Sequence, residues 1–153
     1  VLQNMQGSFK GKDIHTSFHV GLGELRVNMD RQKGIQILTN ILSNALKFTP
    51  RVGRVDLGLD VQGKIMVLEV KDSGPGIPDD ELQKVFDRFA KLSTKATEGE
   101  KGSGLGLTIV KQLLDLHHGD ITVRSKLGQG TSFIITLPVA ESPQLLKLFS
   151  GKR

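Results

Sequence analysis

Three short stretches of the chain carry residue types suited to holding a phosphate-bearing ligand and its counter-ion. Asn40, Asn44 and Lys47 are spaced i, i+4 and i+7, which aligns them along one side of a helix turning about 100° per residue. A carboxamide oxygen suits Mg²⁺, a hard cation that takes oxygen ligands alongside waters and substrate phosphates. Lys47, one turn further on, can meet a phosphate as a point charge. The bland alternative is a solvated helix face that needs no ligand.

Asp72 heads the run Asp-Ser-Gly-Pro-Gly-Ile at 72–77. As plain structure this is a good turn sequence. As chemistry, a carboxylate at a strand end can accept a hydrogen bond from an exocyclic amine such as adenine N6. Gly74 and Gly76 would let the backbone approach a flat base closely. The third stretch, Gly102-Ser103-Gly104-Leu105-Gly106-Leu107, opens a predicted helix. Backbone N–H groups at a helix N-terminus carry partial positive charge and bind phosphate. The stretch is neither a P-loop, since no G-x-x-x-x-G-K-[ST] occurs, nor a dinucleotide fingerprint following a strand. Alone it reads equally as a loop-to-helix hinge.

These side chains must be held by the elements around them. Residues 14–20 alternate, with Ile14, Thr16, Phe18 and Val20 on one face, and predict a strand; 25–29 predict a second, with Gly21 and Gly23 in the turn between. Asp30 is the expected N-cap of a helix that runs to about Phe48 and is stopped by Thr49-Pro50. Its core face is expected to be Ile35, Leu38, Leu42, Ala45 and Leu46, opposite Asn40, Asn44 and Lys47. Strands over 54–61 and 64–71 are joined by Gln62-Gly63 as a tight hairpin, and Pro78 begins a short helix through Phe86 or Phe89. Residues 91–101 are polar and charged with little to bury, a mobile loop by composition. A third helix over about 104–118 should bury Leu105, Ile109, Leu113 and Leu116 and end at Gly119. Strands over 121–125 and 132–137, turned at 127–130, complete six candidate strands. The tail 141–153 carries Leu145, Leu146, Leu148 and Phe149 and reads either as a short amphipathic helix or as a linker.

Composition narrows the classes. A chain of 153 residues is enough for one domain with a real core, and its 37% hydrophobic and 24% charged residues suit a globular fold. No apolar run approaches the roughly 20 residues of a membrane span, and no signal peptide is expected in the opening residues. Absence of cysteine excludes disulfides, thiolate catalysis and Cys-zinc sites. The net charge is +5, but Trp and Tyr are missing and no basic block is dense, so nucleic acid is not an expected partner. Some of the cations are better matched to phosphates or an acidic protein surface.

Order and spacing join the stretches into one signature. Asn-x-x-x-Asn-Ala-x-Lys-Phe at 40–48, Asp-x-Gly-x-Gly-Ile at 72–77, Phe-x-x-Phe at 86–89 and Gly-x-Gly-Leu-Gly-Leu at 102–107 resemble the N, G1, F and G2 boxes of the sensor histidine kinase catalytic domain. That family belongs to the superfamily shared with gyrase, Hsp90 and MutL, and the resemblance covers about 14–139. It implies an α/β (α+β) two-layer sandwich: a mixed, mostly antiparallel sheet of about five strands covered by three helices, with a flexible ATP lid at 91–101. It implies ATP and Mg²⁺ as ligands, with Asn44 on the metal and Asn40 supporting it. Lys47 would contact phosphate, Asp72 would read the adenine amine, and Gly74, Gly76 and Ile77 would line the base pocket. Lys91 stands where many relatives carry an Arg that reaches the γ-phosphate; Lys keeps the charge and loses the bidentate fork. Gly102, Ser103, Gly104, Leu105, Gly106 and Leu107 would flank the triphosphate. Phe86 and Phe89 are expected in the core or anchoring the lid rather than on the nucleotide.

The resemblance also implies a part outside this chain. A complete kinase of this type needs a helical dimerisation module bearing the acceptor His. His15 and His19 lie on a predicted strand, and His117 and His118 close a helix, a setting explained by capping and the helix dipole. No catalytic residue is therefore expected within the chain. Residues 1–12 are expected to end the upstream helical module or a linker, 13–139 to form the catalytic ATP-binding domain, and 140–153 to be tail or linker. Expected partners are that dimerisation module and a response regulator or receiver domain. The parent is expected to be a homodimer with this domain in the cytoplasm, membrane-anchored or not. Two alternatives stay open: an ATP-gated binding module of the same fold without productive transfer, and a serine-directed anti-sigma-type kinase.

Overall fold

The computed structural model describes residues 1–21, 25–97 and 102–140. Gly23 of the predicted turn, residues 98–101 of the predicted loop and the tail 141–153 lie outside the described residues. The elements run in order helix α1 (Leu2–Gly11), strand β1 (His15–Val20), helix α2 (Arg31–Phe48), strands β2 (Arg54–Gln62) and β3 (Ile65–Asp72). A 3₁₀ helix (Asp79–Lys84), helix α3 (Gly106–Leu116) and strands β4 (Asp120–Lys126) and β5 (Gly130–Pro138) follow. One five-stranded sheet forms in the order β1-β2-β3-β5-β4. β1 is parallel to β2 and every other pair is antiparallel. A parallel pair requires a crossover, and α2 is that crossover. The chain thus forms the expected mixed, mostly antiparallel sheet layered with helices.

Strand alternation builds the core. Val55 and Leu57 of β2, Met66, Leu68 and Val70 of β3, Ile121 of β4, and Phe133, Ile135 and Leu137 of β5 are all buried on one face. Against them α2 sets Ile37, Ile41, Leu42 and Ala45, and α3 sets Val110, Leu113 and Leu114. Ile41, Leu42 and Leu114 have no exposed surface, and each contributes about 1.5–3 kcal/mol through burial. Asp72 shares the parity of Met66, Leu68 and Val70. The last residue of β3 therefore delivers a carboxylate to the end of an apolar surface.

Local signals set the ends of the helix that faces this surface. Asp30 caps α2 by accepting a hydrogen bond from Lys33 N–H at 2.9 Å. At the other end Thr49 leaves helical geometry with ψ 125°, as the residue before Pro50 must.

Several expectations are corrected. Residues 25–29 do not form a strand: Val27 bridges Val139, Ala140 N–H reaches Arg26 O, and these links are too few to extend a ladder. On α2 the buried stripe is Ile37, Ile41, Leu42 and Ala45, leaving Ile35 39% exposed; apolar residues flank that stripe on both sides, so periodicity alone could not choose. On α3 the buried residues are Thr108, Val110, Leu113 and Leu114, and Leu116 is 75% exposed. That helix has apolar residues on nearly every face, and packing against the sheet selects among them. Its stop is His118, at φ 58°, rather than Gly119. The segment after Pro78 is a 3₁₀ helix that ends at Lys84. β1 is an edge strand, so Phe18 and Val20 stay about half exposed while Ile14 is buried.

Candidate functional site

Asp72 is 6% exposed and pairs across the sheet with Val55 and Thr131. Its Oδ1 accepts from Gly74 N–H at 2.8 Å and Thr131 N–H at 3.3 Å. Burial pushes the carboxyl above its ordinary range, and the two backbone donors pull partly the other way. Among the described residues it is the only charged one in a cavity walled by Phe48, Ile77, Val85, Leu92, Leu107 and Phe133. Asn44, Pro75, Gly76, Thr94 and Thr131 complete the lining. A flat, mostly apolar ligand with one polar edge suits such a chamber.

The loop after Asp72 is fixed from below. Gly76 has φ 76°, and a Cβ built there would lie 2.1 Å from Lys126 O, so only glycine fits. Gly128 N–H donates to Pro75 O at 2.7 Å, and Ile77 N–H donates to Ser125 Oγ at 2.8 Å. Ser125 in turn donates to Gly130 O or Thr131 Oγ1, both at 2.8 Å. From above, Thr94 Oγ1 donates to Gly76 O at 2.9 Å.

A second, more polar cavity adjoins the first. The two share Asn44, Phe48, Val85, Leu92, Thr94 and Leu107. Its additional lining includes Asn40, Ser43, Lys47, Lys91, Gly102, Ser103, Gly104 and Gly106. Asn40, Asn44 and Lys47 are half-buried rather than solvated. Lys47 Nζ stands 5.3 Å from the Phe48 ring centroid, and a Cβ built on Gly102 would come within 2.4 Å of it. A Cβ on Gly106 would approach Asn40 Oδ1 at 3.4 Å, so α2 and the start of α3 face each other here. Gly104 sits at φ 70° against Phe89, whose N–H donates to Gly104 O at 3.0 Å. That turn leaves Gly102 and Ser103 outside α3, at its N-terminal end, where the helix dipole favours anions.

Of the residues singled out in the sequence, Asn40, Asn44, Lys47, Asp72, Gly76, Ile77, Lys91, Gly102, Ser103, Gly104, Gly106 and Leu107 line one cavity or the other. Gly74 and Leu105 line neither. Gly74 donates its N–H to Asp72, and Leu105 stands at the N-cap of α3. Phe86 packs on the core, its ring 6.4 Å from that of Phe133 in an edge arrangement. Phe89 is 67% exposed and lines neither cavity. Sequence reasoning missed Thr131, Thr94 and Ser125. A signal existed for Thr131 alone: it is the one polar residue on the inward parity of β5, level with Asp72.

The histidines lie apart from both cavities. His15 and His19 are exposed on β1. His117 Nδ1 is 2.7 Å from Leu113 O, and Asp30 N–H reaches its Nε2 at 3.4 Å. A neutral ring donating from Nδ1 satisfies both contacts, which is a capping role.

Sensor histidine kinase WalK of Bacillus subtilis (strain 168) is 40% identical over 137 residues, which cover 87% of this chain and 22% of that protein. The chain therefore spans about a fifth of the length of that curated relative. Among solved structures, the mycobacterial sensor histidine kinase MprB superposes with a TM-score of 0.79 at 31% identity, covering 92% of this chain and 93% of that one. Full-length ShkA in complex with AMPPNP superposes with a TM-score of 0.78 at 30% identity, covering 92% of this chain and 28% of that one. Residues 29–141, which contain both helices and all four motifs of the site, match the family described as histidine kinase-, DNA gyrase B-, and HSP90-like ATPase, and the chain belongs to that family.

Proposed function

We propose that this chain is the catalytic ATP-binding domain of a sensor histidine kinase: it binds Mg–ATP and presents the γ-phosphate to a histidine on a separate helical module. The observation that carries this reading is the adjoining pair of cavities, one mostly apolar with a buried carboxylate, the other lined by carboxamides, two lysines and a helix N-terminus. Adenine fits the first by its flat apolar faces, with its amine donating to Asp72. The triphosphate fits the second, where Lys47, Lys91 and the backbone around Gly102–Gly106 oppose its charge. Asn44, supported by Asn40, would hold Mg²⁺, which neutralises phosphate charge when bound. The likeness to a kinase solved with AMPPNP supports a nucleotide ligand.

The domain's part in transfer is positioning and charge neutralisation, which supply most of the catalysis in phosphoryl transfer. An imidazole nitrogen of the separate module attacks the γ-phosphorus. The bond to the bridging oxygen breaks, ADP leaves with that electron pair, and the proton on the other imidazole nitrogen passes to a base of that module or to solvent. In this reading 13–139 are the catalytic domain, α1 belongs to the end of the helical module, and 140–153 are tail or linker. The parent protein acts in two-component signalling as a homodimer, passing its phosphate to a response regulator or receiver domain. In this reading the domain works in the cytoplasm.

Mixing this chain with a separately produced His-bearing helical module and γ-labelled ATP tests the proposal. Acid-labile, base-stable label on the module is expected. Nucleotide binding without any such label would leave an ATP-gated module in its place.

A further inference from the structure

Among the described residues, the buried charge that the site does not use is Lys12. It is 5% exposed, directly after α1, and Phe9 one turn earlier is locked in the core at 1%. Taking an ammonium out of water costs several kcal/mol unless it is well met. Among the described residues its acceptors are two neutral oxygens, Leu46 O at 2.8 Å and Thr97 Oγ1 at 2.5 Å. Leu46 O belongs to the last turn of α2, whose carbonyls carry the negative end of the helix dipole. A lysine placed there for solubility alone would extend into solvent; this one turns inward to a helix end and a loop hydroxyl.

The hydroxyl continues the chain of contacts toward the nucleotide cavity. Thr97 Oγ1 accepts from Lys12 and donates to Lys47 O at 2.9 Å, and Thr97 N–H also reaches Lys47 O at 3.2 Å. Lys47, Lys91, Leu92, Thr94 and Ala96 all line the polar cavity. The described part of the loop, 91–97, is therefore tied to the body at Ser93 through Glu81, at Thr94 through Gly76 O, and at Thr97. Glu81 and Lys12 are the charged side chains in these ties, and of the two only Lys12 is buried, anchored at the end of α1.

We infer that Lys12 is a positioning residue for the nucleotide site: through Thr97 it holds 91–97 over the polar cavity and makes that placement depend on where α1 ends. This rests on the ATP reading for its functional consequence, but the clamp itself can be tested without nucleotide. Lys12→Met keeps most of the apolar stem and removes the ammonium. Thr97→Val keeps shape and removes the hydroxyl. Thr97→Ser restores the hydroxyl.

In the nucleotide-free chain, Lys12→Met and Thr97→Val should each speed hydrogen exchange in 91–97, leaving β3 and β5 unchanged, while Thr97→Ser behaves as wild type. Titrated with AMPPNP and Mg²⁺, the two disruptive variants should lose about fivefold or more in affinity, the lower end of ordinary site-to-site coupling. The double variant should bind no more weakly than the worse single one, because both act on one link. A lower melting temperature with wild-type exchange in 91–97 and wild-type affinity would make Lys12 merely structural and overturn the inference. Additive losses would overturn it as well. If Lys12→Met does not fold, the Thr97 pair decides the matter alone. Failure of the wild-type chain to bind AMPPNP would instead remove the ATP reading, with the exchange result still judging the clamp.

Discussion

Replacing Asp72 by Asn should move affinity and stability in opposite directions. Both backbone donors, Gly74 N–H at 2.8 Å and Thr131 N–H at 3.3 Å, reach Oδ1. An Asn that keeps its carbonyl oxygen on those donors turns its NH₂ toward the cavity, where the adenine amine would meet a donor instead of an acceptor. A hydrogen bond to a charged group contributes about 1.5–3 kcal/mol, and about 1.4 kcal/mol is tenfold in affinity, so ATP should bind about ten- to a hundredfold more weakly. Inosine triphosphate, with a carbonyl in place of the amine, should lose far less. Stability responds to a different cause. Burial raises the folded-state pKa of Asp72 above its ordinary 3.8, so the folded state binds the proton more tightly than the unfolded chain does. That stabilising contribution is full below pH 3.8 and is lost as pH rises through the folded pKa. Above that window the ionised carboxylate opposes folding of the nucleotide-free chain, and Asn relieves it. Calorimetric titration with ATP and inosine triphosphate, beside thermal denaturation of the free chain across pH, reads both effects. Unchanged ATP affinity, or equal losses for the two nucleotides, would refute the assignment of Asp72 to the base. A lower melting temperature at pH 7 would refute the desolvation argument.

Other outcomes follow from the same geometry. Asn44→Ala should abolish most of the gain in nucleotide affinity that Mg²⁺ brings; titrations with and without the metal measure it, and an undiminished gain would take the metal from Asn44. Gly76→Ala forces a side chain to φ 76° and within 2.1 Å of Lys126 O. It should cost at least about 2 kcal/mol, a fall of about 4–8 °C in melting temperature for a chain of this size. Hydrogen exchange in 91–97 should slow on adding Mg–ATP, and unchanged exchange would count against closure of this loop over the nucleotide.

The parts of the site that were legible are those whose placement is local. Asn40, Asn44 and Lys47 share a side of α2 because helical period and the Asp30 cap settle it within one element. Asp72 reads as a strand end because β2 and β3 form a two-residue hairpin with Gly63 at φ 64°. What stayed hidden depends on partners distant in sequence. Thr131 and Ser125 join the site only through the β3–β5 and β5–β4 registers. Leu116 reads like any other apolar residue of α3, yet it faces solvent while Val110 and Leu114 are buried. Thr94, Thr97 and Lys12 look like surface residues of a polar loop and a terminal helix, because burial of a lysine beside neutral oxygens leaves no mark in composition or period. The strand expected over 25–29 failed for a related reason: its alternation is real, but a ladder also needs a neighbour along its whole length.

The central claim is that one nucleotide spans both cavities. A crystal structure of this chain grown with AMPPNP and Mg²⁺ tests it most directly. The account predicts the adenine amine within hydrogen-bonding distance of Asp72, a metal ion on Asn44 and phosphates beside Lys47 and Gly102–Gly106. A nucleotide seated elsewhere, or one whose base leaves the Asp72 cavity empty, would contradict it.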